Sequence, residues 1–301
     1  MGLVNEENKI IGRITIPTDL TVPYQTLVER MADAVRQMLE NAGMTLEQCG
    51  GIGIGSPGTI DAKQGVILYS NNFGWENVPI VEELKKHLDT RIEIANDADA
   101  AALGEVCAGA AEGAENAVLL TLGTGVGSGV ILDKKIFRGA MPGGCELGHL
   151  SIRYDGIRCT CGRKGCLEAY ASASALLRIA REKAAEHPES IMNEMCGNDL
   201  EQMNGKIPFD AAKAGDEAGM ETVKEYEGYL ACGIANVINT FRPEKVILGG
   251  GVAAQKDNLT APLKDLVKDM CFGGSHGHIA DIVTSVLGND AGIIGAANLV
   301  V

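Results

Sequence analysis

The 301-residue sequence has no run of about eighteen apolar residues, which argues against a membrane-spanning helix. Its opening, Met1 to Ile10, lacks both a basic start and an apolar segment, so no secretory signal is read there. Gly2 alone does not make a myristoylation site, because position six is Glu6 and not Ser or Thr. Basic charge is also short. Lys and Arg number 26 against 40 Asp and Glu, a net charge of −14. Such a chain lacks the electrostatic footprint of a nucleic-acid or anionic-membrane binder, and neither partner is expected. Low-complexity segments and short internal repeats are missing too. The expectation is a cytoplasmic protein acting on small molecules.

Hydrophobic residues make up 46% and charged residues 22%, a globular composition that excludes wholesale disorder. The length suggests two domains. Aromatics are scarce at 4% while glycine is abundant at 39 residues, which suits an α/β chain with many tight turns. Nine cysteines is an odd count, and without a signal it disfavours a disulfide framework. Cys49, Cys107, Cys145, Cys196, Cys232 and Cys271 are scattered singly and read as small buried hydrophobes.

Hydrophobic periodicity supplies the elements. Residues 9–17 alternate as a half-exposed strand after an Asn-Glu-Glu-Asn turn. Leu27, Met31, Ala34, Val35, Met38 and Leu39 recur at helical spacing until Gly43 closes the helix. Short strands are expected at 51–55, 91–95, 116–122, 126–132 and from Val246. Helices are expected over 98–110, through most of 167–240, and over 293–300.

The strongest chemical signal is Gly148-His149 followed by Cys159-Thr-Cys161-Gly-Arg-Lys-Gly165-Cys166-Leu-Glu168. One imidazole and three thiolates form the donor set of a structural Zn²⁺ site, and the glycines let the loop curl around one point. Four protein ligands close such a site, so the metal is expected to shape the fold and not to activate water. Glu146 and Glu168 flank it as acceptors suited to sugar hydroxyls, or as solvated surface glutamates. Asn96-Asp97 stands where an apolar strand meets a helix. The aspartate reads as a helix cap or as a general base at a sheet's carboxyl edge. Asn71-Asn72 and Ser56-Pro57-Gly58-Thr59 are turns able to offer neutral hydrogen bonds. Leu122-Gly-Thr-Gly-Val-Gly-Ser-Gly129 joins two strands. It can cradle phosphate through backbone amides, although it is neither a Walker loop nor a dinucleotide fingerprint. Gly249-Gly250-Gly251, following a strand and opening a helix, is a second nucleotide-contact candidate.

Together, Glu146-Leu-Gly-His149 and the cysteine motif through Glu168 resemble the signature of the ROK family of sugar kinases and repressors. The resemblance runs from Gly2 to the last helix. It implies an actin-like ATPase (ribonuclease H-like) α/β fold, with two α/β domains and ligands in an interdomain cleft. The smaller domain would span 1–108, completed by the C-terminal helix 290–301. The larger would span 109–289 and carry the zinc loop 145–168. By the resemblance, Asp97 is the catalytic base, and Thr59, Asn71, Asn96, Asp97, Glu146, His149 and Glu168 contact the sugar. His149 would serve zinc with one ring nitrogen and the sugar with the other. Gly123, Thr124, Gly125 and Gly127 would form the second phosphate loop, and Gly249, Gly250 and Gly251 would lie near adenosine. The metal ligands would be His149, Cys159, Cys161 and Cys166. The implied activity is ATP- and Mg²⁺-dependent phosphorylation of a hexose at its 6-hydroxyl, glucose first, with fructose, N-acetylmannosamine or silent sugar binding as alternatives. A homodimer is implied. The helix-turn-helix of the family's repressors is not expected in this chain, and its acidic charge agrees.

One family feature has no match. The opening strand ending in Asp-x-Gly-Gly-Thr, the first phosphate loop, is absent, and Met1-Gly2-Leu3-Val4 matches the strand that follows it. That strand is expected between Gly2–Val4 and Gly51–Gly55. The chain as written is therefore expected to begin late, or to be a destabilised, inactive fragment.

Overall fold

The computed structural model describes residues 1–274, 276 and 279–301. Strands β1 (Gly2–Val4) and β2 (Ile10–Arg13) lead to helix α1 (Tyr24–Ala42) and strand β3 (Ile52–Ser56). Next come β4 (Thr59–Asp61), β5 (Val66–Ser70), β6 (Trp75–Val78), α2 (Ile80–Lys85), β7 (Ile92–Asn96) and α3 (Asp97–Ala108). Strands β8 (Ala117–Leu122), β9 (Val126–Leu132) and β10 (Lys135–Ile136) precede α4 (Glu168–Ala171), α5 (Ala173–Glu186), α6 (Ile191–Met195), α7 (Ile207–Lys213) and α8 (Glu217–Phe241). The chain closes with β11 (Lys245–Gly249), α9 (Asp257–Met270), β12 (Asp281–Thr284) and α10 (Asp290–Ala297). It divides into two compact units. One holds Met1–Glu115, Gly129–Cys145 and Val286–Val301, the other Asn116–Ser128 and Glu146–Ser285.

In the first unit, β1 pairs antiparallel with β2, around a turn in which Asn5 Oδ1 accepts from the backbone of Glu7 and Lys9. The strand expected over 9–17 ends at Arg13. Ile14 donates once more to Met1, and Pro17 has no N–H to continue the ladder. Strand β3 pairs parallel with β7 in a separate two-stranded sheet. Helix α1 buries Leu27, Val28, Ala32, Ala34, Met38 and Leu39 along one face and stops at Gly43, whose φ of 65° suits glycine. Strands β4, β5 and β6 form an antiparallel sheet that periodicity did not show. Its Ile60, Ile67 and Val78 share a core with Ile80, Leu84, Ile92 and Ile94.

Helix α3 crosses α10 at backbone contact. A methyl group on Gly104 would collide with the carbonyl of Ala291, and one on Gly295 with that of Ala100. Alanine and glycine on both helices permit this approach, which fixes where the first turn of α3 sits.

In the second unit, β8, β11 and β12 run parallel, with Val118 opposite Val246 and Val246 opposite Ile282. Val118, Leu119, Leu120, Val246, Ile247 and Leu248 are all buried, the continuous apolar run of a sheet covered on both faces. The stretch expected to be mainly helical resolves into α4 to α8. After β11, Gly249-Gly250-Gly251 does not open the helix directly. A 3₁₀ turn over Gly251–Gln255 intervenes, and α9 begins only after Lys256 adopts φ 50°. Among the described residues, no helix is long and apolar enough to cross a membrane.

Candidate active site and metal centre

The first unit gathers its polar candidates at the carboxyl ends of β3 and β7. Register places Ser56 opposite Asn96, so the turn after β3 lies beside the start of α3. Asn96 is the N-cap of α3: its Oδ1 accepts from Ala98 N at 2.9 Å, while its Nδ2 donates to the Gly58 carbonyl at 3.1 Å. Asp97 is therefore not the cap. It occupies the first turn, exposed to solvent, with Oδ1 also accepting from Ala98 N at 2.9 Å. A carboxylate there sits at the positive end of the helix dipole. Thr59 follows at the start of β4, paired with Tyr69. Asn71 lies in the turn after β5, where its Oδ1 accepts from the Tyr69 hydroxyl at 3.3 Å.

Sequence reasoning missed part of this region. Residues 138–144 cross over β4, with Gly143 N donating to the Ile60 carbonyl at 3.2 Å. Together with Asp61, Asn96 and the buried Asp99, this loop, Arg138 included, lines a cavity of about 130 Å³. Asp99 is visible in the sequence only as the fourth residue of Asn-Asp-Ala-Asp. Nothing local says that it is buried while Asp97 is exposed.

In the second unit, a tight loop of Gly123–Gly125 joins β8 to β9, and Gly123 N donates to the Gly125 carbonyl at 3.0 Å. Gly127, expected in this loop, lies within β9 because regular pairing resumes at Val126. The start of α5 ties the loop down. Ala173 N donates to the Gly123 carbonyl at 2.8 Å, and Ser174 Oγ donates to the Thr124 carbonyl at 2.9 Å. Gly250, at φ 82°, packs on the backbone of Leu122, so both glycine segments meet where β8 and β11 end. Glycine-rich loops at the carboxyl ends of parallel strands are suited to phosphate.

The cysteine motif folds into a knot. Gly162 N donates to the Cys159 carbonyl at 3.0 Å, Cys159 N to the Arg163 carbonyl at 2.8 Å, and Gly165 N to the Ile157 carbonyl at 2.9 Å. Tyr170 anchors it by accepting from Ile157 N at 2.6 Å. The donor atoms of His149, Cys159, Cys161 and Cys166 all lie within 4.8 Å of one another. Cys161 Sγ is 3.7 Å from Cys166 Sγ, and His149 Nδ1 is 3.7 Å from Cys159 Sγ. A tetrahedral metal with sulfur ligands at about 2.3 Å needs edges of about 3.8 Å, so this donor set fits one such ion. Nδ1 is the ring nitrogen that approaches the Cys159 thiol.

The three thiols differ in environment. Burial raises Cys159 above the ordinary thiol range, with the Glu168 carboxylate adding to the rise. The Arg163 backbone amide lowers exposed Cys161. Burial, reinforced by Cys161 and Cys159, pushes Cys166 up to about 12.

Glu146 is exposed just before the 3₁₀ turn Leu147–His149, and its carbonyl accepts from His149 N at 3.0 Å. Ser128 holds that turn by accepting from Leu147 N at 3.0 Å. Glu168 opens α4. One carboxylate oxygen accepts from Val126 N, and the other from Thr160 and Cys159. The second unit thus brings together His149, the three thiols, Glu168 and the glycine loop.

A family model described as ROK family matches residues 1–301. A glucokinase of Thermotoga maritima is 36% identical over 301 residues, covering all of this chain and 93% of that one. A ROK family glucokinase from Streptomyces griseus, solved in complex with glucose and AMPPNP, superposes with TM-score 0.78 at 31% identity, covering 99% of this chain and 94% of that one. A ROK hexokinase from Thermus thermophilus gives TM-score 0.78 at 31% identity over 97% of this chain and 91% of that one.

Proposed function

The chain belongs to the ROK family, and from that premise we propose that it is an ATP-dependent hexose kinase converting glucose to glucose 6-phosphate. Its fold is the two-domain actin-like ATPase fold, with proposed domains of 1–108 completed by 290–301, and 109–289. The observation that carries the catalytic part is the exposed Asp97 carboxylate at the first turn of α3, beside the capping Asn96 and the Gly58 turn. Asp97 takes the proton of the sugar 6-hydroxyl as that oxygen attacks the γ-phosphorus. The bond from phosphorus to the β,γ-bridging oxygen breaks in line, and ADP leaves.

The remaining roles follow the family resemblance. Thr59, Asn71, Asn96, Glu146, His149 through Nε2, and Glu168 receive the sugar hydroxyls. Gly123, Thr124 and Gly125, with Gly127 behind them in β9, meet phosphate, and Gly249–Gly251 meet the nucleotide. ATP enters as its Mg²⁺ complex, in which the cation neutralises phosphate charge. His149, Cys159, Cys161 and Cys166 hold one Zn²⁺, which supplies a structural cross-link to the knot. The same reading carries a cytoplasmic location and a homodimer, the latter checked by sedimentation velocity.

A coupled spectrophotometric screen with ATP and glucose, fructose or N-acetylmannosamine tests the substrate. Glucose is expected to give the highest kcat/KM. Turnover of N-acetylmannosamine with none of glucose contradicts the choice of sugar. Glucose binding without ATP binding would make the chain a silent sugar-binding protein.

A further inference from the structure

Glu168 reaches in two directions. Its Oε2 accepts from Val126 N at 3.1 Å, and a methyl group on Gly125 would collide with that same oxygen. Its Oε1 accepts from Thr160 Oγ at 3.1 Å and from Cys159 Sγ at 3.4 Å. The carboxylate therefore spans from the cysteine knot to the glycine loop. Immediately after α4, Ala173 N and Ser174 Oγ hold the Gly123 and Thr124 carbonyls. The loop is thus fixed at Gly123, Thr124 and Val126 by one short segment, residues 168–174. Of these three ties, only the Glu168 tie begins in the knot.

We infer that Glu168 is a positioning residue for the glycine loop, so that nucleotide affinity depends on it even when no sugar is bound. This rests on the reading of Gly123–Gly125 as a phosphate loop. A loop that presents backbone amides to phosphate works only while its amides stay aimed, and a charge-assisted bond to the Val126 amide holds that aim. Gly125 has no strained backbone to account for its missing side chain. The space a Cβ would need is occupied by the Glu168 carboxylate. Oε2, which accepts from Val126, keeps a second lone pair, so the brace does not compete with a sugar contact.

The test measures AMPPNP affinity by calorimetry without sugar, with metal content measured alongside. Glu168→Ala is expected to weaken AMPPNP about tenfold or more, the scale of a lost charge-assisted bond. Glu168→Gln keeps an acceptor for Val126 and is expected to stay within about threefold of wild type. Gly125→Ala pushes the carboxylate aside while leaving Thr160 and Cys159 unaltered, and should match Glu168→Ala. The double variant should be no worse than either single one. If Glu168→Ala loses its metal or its fold, Gly125→Ala decides alone.

Gly123→Val separates this inference from the reading beneath it, since a side chain there meets only open space. Unchanged AMPPNP affinity in Gly123→Val overturns the phosphate-loop reading. If Gly123→Val abolishes AMPPNP binding while Gly125→Ala and Glu168→Ala leave it intact, the brace is overturned and the phosphate loop stands.

Discussion

The side-chain amide of Asn96 donates to the carbonyl of Gly58 at 3.1 Å while its oxygen caps α3 through Ala98 N at 2.9 Å. One residue thus joins the turn after β3 to the helix that carries Asp97. Asn96→Ala removes both bonds. It is expected to lower stability by about 1–2 kcal/mol, the usual worth of a helix cap, and to reduce kcat/KM for glucose as Asp97 loses its fixed place. Urea denaturation with steady-state kinetics checks this. Unchanged stability would show that the cap and the tie carry no weight.

Removing the metal tests the knot. Cys161→Ala is expected to abolish stoichiometric zinc in the purified protein and to weaken glucose binding, because His149 and Glu168 lose their common anchor. Structural zinc contributes about 10–16 kcal/mol of apparent binding free energy in small peptides, so the loss of one ligand should be plain in a melting curve. Inductively coupled plasma analysis and calorimetry are the measurements. Full zinc content with wild-type glucose affinity would contradict the assignment.

A third expectation concerns pH. Glu227 is buried in α8, and burial lifts its carboxyl to about 7 from 4.5. The folded state then holds the proton more tightly than the unfolded state does. The resulting stabilisation is complete below about pH 4.5, falls as pH rises towards 7 and is gone above it. Glu227→Gln removes this loss and should raise stability at pH 8 by up to about 3 kcal/mol, with little gain at pH 5. Urea titrations at the two pH values check it. Equal stability of variant and wild type at pH 8 would show that the carboxylate is solvated.

The packing of α3 gives a fourth. Gly295→Val places a side chain against the backbone of Ala100, which has no flexible end to move aside. An overpacking loss of about 1–3 kcal/mol or more is expected, with lowered turnover because α3 carries Asp97 on its first turn. Differential scanning calorimetry and activity together read this. Wild-type melting would mean that the two helices can separate without consequence.

Much of this was legible in the sequence where the signal was local. The cysteine spacing marks the knot directly, because a Cys-x-Cys turn closed by glycines brings sulfurs together without help from distant residues. The apolar runs Val118–Leu122 and Val246–Leu248 read as strands because a sheet buried on both faces leaves no polar alternation. Other features depend on long-range pairing. The sheet of β4, β5 and β6 was missed, as its strands are short and Tyr69 and Glu76 face outward. The one-and-a-half-turn helix Ile80–Lys85, half of its residues charged, is too short for helical periodicity to show. Asn96 replaced Asp97 as the cap because both can fill that position, and only the Gly58 carbonyl across the sheet decides between them. Glu168 was read as a neighbour of the knot, whereas its contact with Val126 lies 42 residues away in sequence.

Phosphoryl transfer from ATP to glucose by the wild type and by Asp97→Asn, at matched folded fraction, tests the central claim most directly. The amide keeps the size and approximate hydrogen bonding of the carboxylate but cannot take a proton. The account predicts glucose affinity within about tenfold of wild type and turnover lower by at least about 10². Near-normal turnover in a well-folded Asp97→Asn protein would contradict it and place the base elsewhere.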